Sequence, residues 1–186
     1  MEKQIVKKLN NLKRQKRSVR LVTKHHDGDA YDGIVLACKP KLILLQIIND
    51  FKLGGVLALQ TGFLKGLRLG RFERLLDKVI AQNRQIRKLK RIPWLMKVEN
   101  IPQMILECHR RKIWPIVEMQ SNSKNAFFIG PITQVSEKEF NLFSYDADGK
   151  WEKIYRLPYK EVIRVEIFDD YSKHFNRYMV KKLPNK

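Results

Sequence analysis

The fold is decided by the stretch Ala126-Phe127-Phe128-Ile129-Gly130-Pro131-Ile132-Thr133-Gln134-Val135-Ser136-Glu137-Lys138-Glu139-Phe140-Asn141-Leu142-Phe143-Ser144-Tyr145. Two apolar, β-rich segments, Ala126–Val135 and Glu139–Tyr145, flank the polar Ser136-Glu137-Lys138. That pattern reads as strand, turn, strand, and the first strand carries one glycine, Gly130. Next comes Asp146-Ala147-Asp148-Gly149-Lys150, a tight turn with Gly149 where positive φ is expected. Trp151–Leu157 and Val162–Phe168 follow as strands. In the former, Trp151, Lys153, Tyr155 and Leu157 share one face, and Glu152, Ile154 and Arg156 the other.

Working outward, the same order occurs earlier in the chain. One copy runs from Val19 to about Ile80 and the other from Ile113 to about Met179. Val19-Arg20-Leu21-Val22 corresponds to Ile113-Trp114-Pro115-Ile116-Val117. Gly33 precedes Gly130 by 97 positions, and Leu67-Arg68-Leu69 precedes Ile163-Arg164-Val165 by 96. The helix-like runs Phe72–Ile80 and Tyr171–Met179 close the copies. A repeat of this period implies two small domains of one type. Five short strands with tight turns and one helix per copy imply a small closed barrel.

The first copy is read in the same terms. Residues 25–33, with two Asp-Gly pairs, read as a loop. Gly33–Cys38 is a buried strand. Leu42–Ile48 is nearly all apolar and is expected to be covered on both faces. Asn49-Asp50-Phe51-Lys52-Leu53-Gly54-Gly55 reads as a turn, with strands at Val56–Leu59 and Phe63–Leu69. Arg71–Lys90 reads as a helix, broken by Ile92-Pro93-Trp94. Asn100 caps a further helix to about Arg111, with Ile101, Met104, Ile105 and Cys108 as its buried positions. Near the start, Ile5, Leu9 and Leu12 form a narrow apolar stripe on a basic helix. The expected organisation is a basic helix or arm at 1–17, a first barrel with its closing helix at 18–80, a helical connector at 81–111 and a second barrel with a C-terminal helix at 112–186. The fold class is α+β, mainly β with helices.

The chain has 186 residues, 44% of them hydrophobic, and carries a formal net charge of +19. Its charge is uneven. Residues 1–100 hold 23 Lys/Arg against 8 Asp/Glu, and residues 101–186 hold 15 against 11. Such a field attracts polyanions: nucleic acid, an anionic membrane or an acidic protein. No apolar run approaches the roughly 20 residues that span a bilayer, and Met1–Lys8 has no apolar signal-peptide core. The expected location is the cytoplasm. Cys38 and Cys108 make no disulfide framework and read as small buried hydrophobes.

Six features together resemble the Sm-like (SH3-like) small barrels: the glycine strand, Phe140–Tyr145, the Asp146–Gly149 turn, Trp151-Glu152, Ile163-Arg164-Val165-Glu166-Ile167-Phe168, and Tyr171 with Phe175. More closely, the chain is similar to a group of uncharacterised bacterial proteins with two such repeats. The resemblance spans about residues 17–181 and is specific mainly over 126–175. It implies two Sm-like five-stranded barrels joined by a helical connector, and it implies a fold rather than an activity. In the RNA-binding Sm proteins it implies an Arg-Gly or similar pair in the final hairpin and an Asp/Asn in an earlier loop. The matching hairpins here read Gln60-Thr61-Gly62-Phe63 and Leu157-Pro158-Tyr159-Lys160, without that pair.

Catalytic patterns are absent from the sequence. Asp27, Asp29 and Asp32, and Asp146 and Asp148, are explained by turn chemistry. His25-His26 with Cys38, and Cys108-His109, lack zinc-ligand spacing. There is no phosphate loop, nucleophile elbow or dinucleotide-binding glycine pattern. The expected protein is non-enzymatic, with no metal or cofactor. Its expected activity is binding RNA or DNA, with phosphate contacts from Lys13, Arg14, Lys16 and Arg17 and from Arg84, Arg87, Lys88, Lys90 and Arg91. Trp94 is the candidate for stacking on a base, with core burial as its other reading. The alternative function is an immunity or regulatory module whose basic face covers an acidic protein.

Overall fold

A computed structural model describes residues 3–24, 30–83, 92–120 and 126–181. Arg84, Arg87, Lys88, Lys90 and Arg91, and the loop residues His25, His26, Asp27 and Asp29, lie outside the described residues. The chain is mixed α+β and divides into two compact units, Met1–Asn100 and Ile101–Lys186. Among the described residues no helix is long and apolar enough to cross a membrane.

The first unit opens with α1 (Lys3–Gln15), followed by β1 (Ser18–Thr23), β2 (Ala30–Cys38), β3 (Leu42–Asn49), β4 (Lys52–Gln60) and β5 (Leu64–Arg68). Then come α2 (Arg71–Gln82) and the short α3 (Pro93–Lys97), which proline starts. A 3₁₀ turn, Thr61–Phe63, joins β4 to β5. All pairings are antiparallel, in the order β5-β1-β2-β3-β4. Leu42, Ile43, Leu44 and Leu45 of β3 are fully buried, as expected of a run apolar on both faces. Against this sheet α2 packs Leu76 and Ile80 onto Ile34 and Ile48. Helix α1 packs on β2 and buries Leu9 and Leu12. Burying each leucine contributes about 1.5–3 kcal/mol, so the basic N-terminal segment is a docked helix.

The second unit begins with α4 (Ile101–Arg110), which buries the four expected residues Ile101, Met104, Ile105 and Cys108. It continues with β6 (Ile116–Met119), β7 (Ala126–Ile129), β8 (Ile132–Val135), β9 (Glu139–Tyr145), β10 (Trp151–Pro158), β11 (Val162–Ile167) and α5 (Asp170–Val180). A 3₁₀ turn, Tyr159–Glu161, precedes β11. Within the unit β11 pairs β6 and β6 pairs β7, while β8 pairs β9 and β9 pairs β10. If β7 and β8 are taken as one bent strand, the order equals that of the first unit.

The bend lies at Gly130. Its φ is +151°, and a Cβ there would run into the carbonyl oxygen of Phe143 on β9, with the carbonyl carbon at 3.1 Å. Gly33 holds a similar position: a Cβ would meet the Gln46 carbonyl on β3 and Leu45 Cγ at 2.6 Å. In both units the second strand approaches the third so closely that only glycine fits.

Four expectations are corrected. The sheets are open: among the described residues no ladder joins β4 to β5 or β10 to β11, so closed barrels are not formed by backbone pairing. The expected strand Ala126–Val135 is two strands, because the Gly130–Pro131 step turns the chain. Ala30–Asp32 belongs to β2 rather than a loop, since Arg20 on β1 faces Asp32 and pairs with it. Gly54 and Gly55 lie in β4, and the turn is Asp50-Phe51 alone, at φ 46° and 61°. Two positive φ angles between paired Asn49 and Lys52 are the geometry of a two-residue hairpin. The described part of the expected Arg71–Lys90 helix ends at Gln82.

Candidate basic groove

The C-terminal turn of α1 presents Lys13 and Arg14 outward because Leu9 and Leu12 face inward, and Lys16 just after it is exposed as well. The helix stops where Lys16 takes φ 51°; its N–H donates to the Lys13 carbonyl (3.2 Å), and that of Arg17 to Leu12 (3.1 Å). Asp77 of α2 then fixes the joint. It accepts from the Ser18 N–H (2.6 Å), the Ser18 hydroxyl (2.7 Å) and the Arg17 guanidinium (3.3 Å). The arm is therefore held, and its last cation, Arg17, is engaged with an acid of its own unit.

Beside this helix end lies a concavity of about 560 Å³. Its floor is Ile34–Cys38 of β2, its far wall includes Lys39, Pro93 and Met96, and its near wall is Lys13, Arg14 and Lys16. Lys39 is held there: its ammonium donates to the Met96 carbonyl (2.8 Å) and to Glu99 (2.6 Å). Arg14 donates to the Asn11 side chain at 2.7 Å. Among the described residues no carboxylate forms an ion pair with Lys13, Arg14 or Lys16. Three cations that make no ion pair among the described residues, beside an apolar floor, suit a ligand with anionic groups and apolar surface.

Of the sequence-derived candidates, Lys13, Arg14 and Lys16 come together in this groove. Arg17 lies at its edge in an ion pair, and the central-helix set lies outside the described residues. Trp94 is half-buried on α3. Sequence reasoning missed Lys39 and Met96 as groove residues. Their tie joins positions 57 apart, which no local pattern reports.

Several charges elsewhere are paired. Arg20 binds Asp32 with two hydrogen bonds. Burial pushes the Glu73 carboxyl up, but the Gly70 N–H and Arg68 outweigh it, so it sits below the ordinary carboxylate range. In the second unit Arg164 bridges the buried Glu118 and Glu166. Among the described residues no three His, Cys, Asp or Glu converge as metal ligands.

The cysteines differ in access. Cys108 is fully buried, and burial together with Glu107 pushes its thiol up to about 12. Cys38 is half-buried; burial raises its thiol too, and Lys13 pulls it back. In native protein a thiol-exchange reagent is expected to label Cys38 alone, and Cys108 only after denaturation. Equal labelling of both in the folded state would contradict this packing.

Comparison of the chain with protein-family models, curated proteins and solved structures returns no match.

Proposed function

We propose that this chain is a non-enzymatic tandem Sm-like protein that binds RNA or DNA through the basic groove of its first unit. Support for the Sm-like reading is the equal strand order in both units, the 3₁₀ turn before each last strand, and the glycine in each second strand. The observation that carries the binding reading is the set of three cations, Lys13, Arg14 and Lys16, without an ion pair among the described residues, on a helix end fixed by Asp77. Their role is phosphate contact, which gives affinity and salt dependence without reading sequence.

The test is a salt titration on duplex DNA and on RNA. Binding is expected to weaken steeply with salt, each lost phosphate contact lowering the log–log slope by about 0.9 on duplex DNA. Reversing Lys13, Arg14 and Lys16 to Glu is expected to flatten the slope accordingly with thermal stability kept. A slope that this variant leaves unchanged, but that reversal of Arg84, Arg87, Lys88 and Arg91 flattens, would move the contact to that segment. If the chain binds neither nucleic acid at low salt, an acidic protein partner replaces this reading.

A further inference from the structure

Helices α2 and α5 follow the last strand of their units and match at an offset of 99 positions. On this match Ile80 and Met179 are both fully buried, and Glu73 and Ser172 are both buried in the first turn. The outward sides match as well. Phe72 corresponds to Tyr171, Arg74 to Lys173, and Lys78 to Arg177. With 3.6 residues per turn, the two cations lie on one flank of the exposed arc and the ring on the other. Leu75 and His174 lie between them.

Each ring is braced by its own unit and remains open to solvent. The Arg20 guanidinium sits 5.4 Å over the Phe72 ring, and Phe175 stacks on Tyr171 at 5.5 Å and 18°. Phe72 is still 40% exposed and Tyr171 55%. Among the described residues none of the four cations makes an ion pair. The interior positions need only be apolar and of fitting size, and they differ in kind: Leu76 against Phe175, Ile80 against Met179. No such packing demand explains an exposed ring flanked by two free cations in both copies.

A ligand matching both features offers a flat apolar face and an anion in the same short repeat. Unpaired nucleotides do so. A duplex keeps its base faces inside its own stack, and an acidic peptide would leave the rings uncovered. We propose that the outer faces of α2 and α5 are sites for single-stranded nucleic acid. An unpaired base stacks on Phe72 or Tyr171, and neighbouring phosphates contact Arg74 and Lys78 or Lys173 and Arg177. This rests on the reading of the chain as a nucleic-acid binder and adds where the bases go.

The experiment compares the full chain with F72A, Y171A and the double variant, using labelled oligo(dT) and a DNA duplex of the same length at fixed salt. Each single variant is expected to weaken oligo(dT) binding about five- to hundredfold, the range of one lost stacking contact, and to leave duplex binding unchanged. F72Y and Y171F keep a ring and are expected to bind like the unaltered chain, which separates stacking from damage to the fold. Unaltered protein that binds both probes, with alanine variants binding oligo(dT) equally well, would overturn this inference alone. Parallel loss on both probes would also overturn it. Unaltered protein that binds neither probe would overturn the nucleic-acid reading and this inference together.

Discussion

Replacing Gly130 with alanine is expected to destabilise the second unit by about 3 kcal/mol or more, because backbone strain and a severe clash are created together. Two causes act together. The φ of +151° is one that residues with a Cβ rarely adopt. The new methyl would also point into the Phe143 carbonyl. Relief requires β8 to move off β9, which would break the hydrogen bond from the Phe143 N–H to the Pro131 carbonyl (3.0 Å). Gly66→Ala is the control, because a Cβ there meets nothing within 4 Å. It is expected to be neutral or slightly stabilising, since alanine loses less entropy on folding. Urea unfolding of the two variants decides the matter. Similar midpoints would mean that the bend at Gly130 adapts freely.

Arg164→Met is expected to lower stability at neutral pH by about 3–5 kcal/mol, the loss typical when one partner of a buried ion pair is removed. Arg164 is itself largely buried and lies between Glu118, 1% exposed in its side chain, and Glu166, 11% exposed. The variant removes the Arg164 counter-ion from both carboxylates. Burial already pushes the Glu166 carboxyl above its ordinary range, against the pull of Arg164. The folded state therefore holds that proton more tightly than the unfolded state, and stability falls as pH rises from the ordinary carboxyl value through the folded one. Without Arg164 the opposing pull is gone and the dependence steepens. The loss should shrink in mildly acidic buffer. Adding Glu118→Leu should recover part of it at neutral pH, because an apolar replacement strands no charge. A loss independent of pH and unaffected by Glu118→Leu would mean that Arg164 acts by packing, for example under Phe127, whose ring centre is 5.7 Å from its guanidinium.

Much of the strand pattern was legible because burial forces it. Leu42–Ile48 is apolar at every position but Gln46, and it became the strand buried throughout. Asn100, Pro102 and the spacing of Ile101, Met104, Ile105 and Cys108 located α4 and its buried face. What failed was local turn chemistry set against pairing. Gly54-Gly55 signals a turn, yet both lie in β4, at a register shift between the paired Leu53 and Val56, and the pairing of Asn49 with Lys52 places the turn on Asp50-Phe51. Asp32-Gly33 reads as a loop until Arg20 is known to lie opposite. The groove was half legible. The stripe of α1 shows which cations point outward, but its floor and far wall come from strands and turns remote in sequence.

The order of pairing also governs how each unit reaches its fold. In the first unit β1–β2, β2–β3 and β3–β4 join neighbours along the chain, and only β1–β5 joins segments from opposite ends. In the second unit β6–β11 is the corresponding distant pair. Hairpins between neighbours form in about 1–10 μs, whereas the end-to-end pairing must first bear the entropy of closing a long loop. The docking of the last strand on the first is therefore the expected slow step in each unit, to be checked by whether variants in β5 or β11 slow refolding more than variants in the hairpins. In the first unit the closing helix α2 packs on β2 and β3 through Ile34 and Ile48 and is tied to Ser18 of β1 by Glu73 and Asp77, so its docking covers a sheet that the earlier hairpins have already begun.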